Sequence, residues 1–518
     1  MKKNIMLIVG LSICAVLFFG SHGVYAEAKQ KHGGMINVGL NTDLVGVDPH
    51  VSGAVVNAIV LGHVFEPLVA YGENLEHMPV LAESWDIAPD FMTYTFHLRK
   101  GRLFHNGKEM HADDVKYSVE RMMDPKTGCP RRSQLKIEQI EVLDDYTVRF
   151  HMKEADASLL DVLAYTSPVM AIIPEGDVER QGGSITHPVG TGPFKFVEWK
   201  PDRYVLMERF DQYRPIPGPM SGMGGAKIVY VDKLKFIPIP EESVATMALL
   251  NKEIDLLQYV PFKNVKRFRE DYTKRGIVLQ EIPGLSWYQI FLSCTNPVTK
   301  NRKFRKAVAY AVDLDTIGQA ATRGYCVVNP SPVAVKNLYY TPRHRQWYTQ
   351  DVAKAKQLLK EAGYKGGEVV LQTTKKYAMM FDQAVAVHAQ LQEAGINARL
   401  VVLEWPILLS RMYSGDFQMQ SFGIGARPDP TGAYVFLKPT GFLDQYPRMK
   451  GIIAEASKTM DFEKRKILFE EAQDLVREAV PMINLFNYIN FNAHWKYVKG
   501  FKIFATNYPR LWGVWLDK

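Results

Sequence analysis

His97, His105 and His111 fall within fifteen positions of the stretch YTFHLRKGRLFHNGKEMHADDVKYSVERMM, residues 94–123, and raise the question of a metal or catalytic centre. The local pattern answers it. Tyr94, Phe96 and Leu98 alternate with Thr95, His97 and Arg99, the period of a half-buried strand. Asn106-Gly107 supplies the positive φ of a tight turn. Val115, Ser118, Val119 and Met122 then stand at i, i+3, i+4 and i+7, so a helix is expected from about Ala112, with Asp113 and Asp114 favouring its positive end. The three imidazoles therefore belong to three different elements, unlike the one-face spacing of HExxH.

Other chemistry is searched for by the same logic. No GxSxG elbow, P-loop, paired CxxC or dinucleotide fingerprint occurs in its required context. Lys126-Thr127-Gly128 and Ser133 with Lys136 match the KTG and SxxK elements of penicillin-binding enzymes, but in reversed order and far too close together. No carboxylate pair is singled out as a glycosidase acid and base. Of thirteen histidines, His50, His63, His388 and His494 each lack a spaced His or Cys partner, so no bare-metal site and no cofactor is expected. A metal chelate held through its carboxylates stays open.

The elements that would position a site can be read coarsely. Lys2 and Lys3, an apolar run over 5–19 and Val24-Tyr25-Ala26 form a secretory leader with cleavage expected after Ala26, hence a periplasmic protein. Removing it takes two lysines and no acid and leaves a formal charge of +6 from +8. That charge is spread out, and the runs at 300–306 and 343–345 read as solvated faces, so no nucleic-acid partner is expected. With 47% hydrophobic and 11% aromatic residues the chain can fill a sizeable core. Cys129, Cys294 and Cys326 remain, and in an oxidising compartment Cys294 with Cys326 is the expected pair if any forms. Strand-like runs such as MINVGL and EVVLQTT alternate with helical ones such as FRKAVAYAVD, which indicates an α/β protein. Breaks at 168–192, 215–225 and 282–285 are candidate boundaries, and the last separates two self-sufficient halves.

Five ordered blocks carry a resemblance. PVLAESWDIAPDFMTYTFHLRKG through FHNGKEMHADDVKYSVERM, HPVGTGPFKFVEW, LLNKEIDLL, WYQIFLSCTNPVTKNRKFRKAVAYAVD and DVAKAKQLLKEAGYKGG together resemble the family-5 extracellular solute-binding proteins of ABC importers, which include dipeptide-, oligopeptide- and nickel-binding members. His111 departs from the Thr or Ser usual at that helix cap. The resemblance spans 35–518 and implies the type II periplasmic-binding-protein fold: two α/β lobes joined by two hinge crossovers. It divides the chain into the leader 1–26, lobe I from 27–72, 187–278 and 488–518 with an inserted subdomain at 73–186, and lobe II at 279–487, with hinges near 280–286 and 485–490. It implies a monomer that is not an enzyme, closes on a small-molecule ligand and docks on permease subunits in the inner membrane. A secreted hydrolase on a related fold is the alternative of another class.

The resemblance also frames the site. Trp287, Tyr288 and Trp405 lie near the implied crossovers and are expected as pocket walls, since aromatic surfaces bury ligand with little side-chain entropy to lose. SFGIGARPDPTGAY, residues 421–434, is similar to the family's ligand-facing loop, in which peptide-binding members carry an aspartate for the ligand's α-ammonium group. Counted back from Asp429-Pro430 that place is Ala426, and Arg427 follows it. A guanidinium fork suits carboxylate or phosphate, so an anionic organic ligand is expected, with Arg427 as its main charge partner and Arg131 or Arg132 as a second. The competing expectation is that Arg427 braces its own loop through Asp429.

Overall fold

The computed structural model describes residues 30–165 and 168–518; the expected leader lies outside the described residues. One 14-residue strand, Met482–Trp495, organises the molecule. Its first residues pair antiparallel with Trp287–Leu292, its last seven with Ile277–Pro283. The chain thus passes between two halves along two adjacent routes, at 283–287 and at 486–489. Outward on one side the sheet continues through Met419–Ile424, Val369–Thr373 and Ala398–Val402; on the other it continues through Leu256–Leu257, Met35–Leu40, Lys233–Pro238, Tyr204–Arg209 and Phe194–Lys200. Parallel pairing of Met35–Leu40 with Lys233–Pro238, and of Val369–Thr373 with Ala398–Val402, requires crossover connections, and helices cover these sheets. This is the α/β fold expected from the alternation.

Hydrophobic burial divides at the same crossings. One core runs from Ile36 to Leu285 and resumes from Phe491 to Val514, with Ala334 its single intruder; two further cores are drawn from residues between Trp287 and Phe486. The helix Arg302–Ala311 shows why the second half folds as it does. Phe304, Ala307, Val308 and Ala311 form one buried stripe, and the Asn301 side chain caps the first turn by accepting from Lys303 N–H at 2.9 Å.

The histidine-bearing stretch forms Thr93–Leu98, a turn with Gly107 at φ 86°, and the helix Ala112–Met123, as its periodicity requires. It belongs to a separate four-stranded antiparallel sheet. Asp114 supplies the missing cap from inside the helix, accepting from His111 N–H at 2.8 Å. His105 is structural: its Nε2 bonds Gly192 O at 2.9 Å, and Gly190 N–H reaches its Nδ1 at 3.3 Å. Two stretches distant in sequence, FHNGKEMH and HPVGTGPF, are thereby locked together. Glycine is required at 190 because a Cβ there would sit 2.1 Å from Val64 O. Among the described residues no group of three or more His, Cys, Asp or Glu is placed to hold a metal ion, and no helix is long and apolar enough to cross a membrane. The cysteine pairing needs correction: Cys294 and Cys326 are both free thiols, Cys294 buried in the second half's core and Cys326 half-buried on an edge strand.

Candidate ligand-binding cleft

Where the halves meet, aromatic residues converge from both. Tyr288 pairs opposite Gly423, whose lack of a side chain makes room for the Tyr288 ring; a Cβ would lie 2.8 Å from it. The ring stacks on Phe486 at 5.5 Å and meets the edge of Tyr488 at 5.9 Å. Burial, then Tyr488, Tyr259 and Tyr377, raises its hydroxyl well above the usual range. Tyr259 comes from the first half, just beyond Leu256–Leu257, and burial pushes it up to about 12. Trp405 opens the helix Trp405–Ser414, stacks on Phe422 at 5.6 Å and meets the edge of Tyr377 at 4.9 Å. This wall offers ring faces and neutral hydroxyls. Trp287, by contrast, is 1% exposed and built into the second half's core.

The charged part lies along the loop after Met419–Ile424. Arg427 is half-buried; its Nη1 donates to Gly425 O at 3.2 Å and Ala426 O at 2.9 Å, and its guanidinium sits 5.4 Å over Phe436. Burial lowers its proton affinity; Tyr165, Tyr508 and Tyr413 favour the charge, and Arg131 opposes it. Arg131, from the first half, stacks 3.6 Å over Tyr165 and donates to Gln134 Oε1 at 3.0 Å. Two guanidiniums thus approach one another beside Tyr165, and among the described residues neither has a salt bridge to a carboxylate. Arg132 is exposed on the turn Arg132–Gln134.

The expected brace between Arg427 and Asp429 does not form. Asp429 is taken by Arg465 and by Thr431 N–H, the latter at 2.7 Å, while Arg427 turns towards Tyr165 and Phe436. Sequence reasoning did not find Tyr165, Tyr259, Tyr377, Tyr488 or Tyr508. Each is one tyrosine among 25, on a segment remote from the others, and no spacing links them.

Comparison with known proteins agrees with this geometry. The model of the bacterial extracellular solute-binding proteins, family 5 Middle, matches residues 76–442. A glutathione-binding protein of Pectobacterium atrosepticum is 26% identical over 487 residues, covering 90% of this chain and 91% of its own length. The periplasmic binding protein DppA of Helicobacter pylori, solved with the peptide STSA, superposes with a TM-score of 0.76 at 28% identity, covering 94% of this chain and 99% of that one. The agropinic acid complex of the binding protein AgaA from A. tumefaciens R10 superposes with a TM-score of 0.76 at 25% identity, over 94% of this chain and 99% of that one.

Proposed function

Because the chain belongs to the bacterial extracellular solute-binding proteins of family 5, the binding components of ABC importers, we propose that it captures a small anionic, carboxylate-bearing solute between its halves and hands it to a permease. The observation that carries this is the approach of Arg427 and Arg131 without a carboxylate partner. Two like charges in a poorly hydrated cleft repel, and an anion between them reverses the sign of that contribution. A carboxylate accepts the planar fork of each guanidinium, so the pair would be bridged only when the halves are together. That difference is what closure by a ligand needs. Tyr288, Tyr377 and Trp405 would cover the uncharged remainder of the solute.

In this reading the halves are the lobes described from sequence, with 73–186 inserted in the first, and the crossings at 283–287 and 486–489 are the hinges. The protein acts as a monomer. Glutathione, a peptide and agropinic acid, the ligands named for the relatives, all carry carboxylates, which agrees with an anion-selective variation on a shared cleft. Family-5 binding proteins are periplasmic, which fits the expected leader.

Native mass spectrometry of the purified protein weighs any solute carried through purification, and elemental analysis separates a free organic acid from a metal chelate. Against the solute so identified, Arg427→Ala is expected to lose about 2–5 kcal/mol of binding without loss of fold. Ordinary dipeptides binding equally well to both forms would sink the anion reading. Recovery of the ligand chemically unchanged after incubation separates a receptor from a hydrolase.

A further inference from the structure

Some distance along the same loop a second polar cluster spans the two halves. Asp161, on the helix Leu159–Leu163 of the first half, accepts through Oδ1 from Tyr71 Oη at 2.8 Å and faces His77 Nε2 at 2.8 Å. Opposite stands Asp429 of the second half, held by Arg465. The two carboxyls are within hydrogen-bonding contact of each other. Yet Asp161 Oδ2 is buried without any donor. Two ionised carboxylates are both acceptors, so only a proton between them can satisfy that oxygen. Nearby the halves are also joined through the backbone, Ala157 N–H donating to Ser457 O at 2.7 Å, and Ala426 packs against the first half's core.

We propose that this cluster is a latch: one proton shared by Asp161 and Asp429 ties the halves together, so the closed form is favoured as the medium becomes more acid. The inference rests on the closure proposed above, but not on the identity of the solute. The groups facing the pair are Tyr71, His77 and Tyr94 from the first half, and Arg465 and Tyr339 from the second. Burial, opposed by Arg465 and reinforced by Asp161, lifts the Asp429 carboxyl above its ordinary 3.8. Burial acts likewise on Asp161, but His77, Arg465 and Tyr71 outweigh it and the net direction is down. The proton therefore resides on Asp429 and is donated to Asp161. When the halves part, Asp429 keeps Arg465 and loses Asp161, so its proton is released more readily. The closed form accordingly binds one proton more tightly than the open form. Its advantage is complete in acid and disappears as pH rises through the raised value, by at most about tenfold in the closed-to-open ratio per pH unit.

The Ala157 amide reports the contact directly. Hydrogen exchange on the ligand-free full-length protein, corrected for the intrinsic pH dependence of exchange, should show protection at Ala157 falling between about pH 5 and about pH 8, at most about tenfold per unit, with the radius of gyration rising in parallel. In Asp161→Asn the carboxamide donates to Asp429 without needing a proton, so protection is retained and its pH trend flattens. Asp429→Asn, donating in the other direction, should flatten it too. Protection that is absent at every pH, a flat trend in the unmodified protein, or the same trend in both variants would overturn the latch. No solute takes part, so a failure of the anion reading leaves this result untouched, and failure of the latch leaves the Arg427→Ala binding test standing.

Discussion

Replacing Glu66 by Gln tests how the first half holds the residues that reach the cleft. Glu66 is 1% exposed and accepts from Lys227 at 2.8 Å, Tyr213 at 3.0 Å, Arg102 at 3.1 Å and Thr191 at 3.1 Å. Lys227 lies 4.9 Å over Trp512, and Leu511 N–H donates to His63 Nε2 at 3.1 Å, so this network underlies the C-terminal segment that carries Tyr508 towards Arg427. Burial alone would raise the Glu66 carboxyl, but Lys227 and Arg102 outweigh it and hold it at about 2, against 4.5 ordinarily. That difference corresponds to about 3 kcal/mol of folding free energy, fully present above 4.5 and lost as pH falls through about 2. Glu66→Gln leaves two buried cations without their anion, for which a loss of about 3–5 kcal/mol is expected, in agreement. Hydrogen exchange at neutral pH should locate the loss in Lys233–Pro238 of the first half and spare Val369–Thr373 of the second. A loss below about 1 kcal/mol, or one shared equally by both strands, would refute the view that a buried ion network holds the first half specifically.

Three further outcomes follow from the same geometry. Burial lowers His63 and His105 to about 4 from 6.5, so both fold as neutral imidazoles; stability should fall as pH drops from 6.5 towards about 4, and thermal unfolding of His63→Gln should show a shallower pH dependence. Gly190→Ala pushes a Cβ to 2.1 Å from Val64 O and should destabilise by about 2 kcal/mol or more in urea unfolding, whereas Gly367→Ala, with nothing within 4 Å, should be close to neutral. Burial raises the thiols of Cys129, Cys294 and Cys326, so a disulfide reagent should react slowly with the native protein and promptly once urea is added; prompt reaction at Cys294 before unfolding would contradict its place in the core.

The parts of the fold that were legible in sequence are those in which one physical demand repeats at a fixed interval. Burial of Tyr94, Phe96 and Leu98, and of Val115, Ser118, Val119 and Met122, follows from periods of two and of 3.6. What His105 does was not legible, because its partners Gly190 and Gly192 lie about 85 positions on and the bond uses backbone atoms. The Cys294–Cys326 pairing failed for a related reason: sharing a half sets no distance, and the two side chains occupy different cores. Trp287 was read as a wall from its nearness to a crossing, but alternation along Trp287–Leu292 sends neighbouring side chains to opposite faces. Tyr288 therefore reaches the tyrosine cluster while Trp287 enters the core.

The loop 425–430 shows most clearly how the same residues can be read correctly in type and wrongly in partnership. Adjacent opposite charges, Arg427 and Asp429, make an internal brace the economical expectation, yet burial changes which pairing is favourable. Arg465 stacks on Tyr339 and Phe469 at 5.2 and 5.4 Å, inside the second half, and a buried guanidinium there needs an anion more than a half-exposed one does. Asp429 is the anion that reaches it, which leaves Arg427 without an acid and turned towards Arg131. The absence of an acidic anchor at Ala426 and the commitment of Asp429 to Arg465 act together. One removes the group that would hold an ammonium ion, and the other prevents the remaining carboxylate from neutralising Arg427. Replacing Ala426 by Asp should therefore act twice, giving Arg427 an internal partner and repelling a carboxylate ligand. Affinity for an anionic solute should drop at least tenfold with the fold intact, by calorimetry on the solute recovered from the protein. Unchanged affinity in Ala426→Asp would mean that the ligand's charge is held elsewhere than at Arg427.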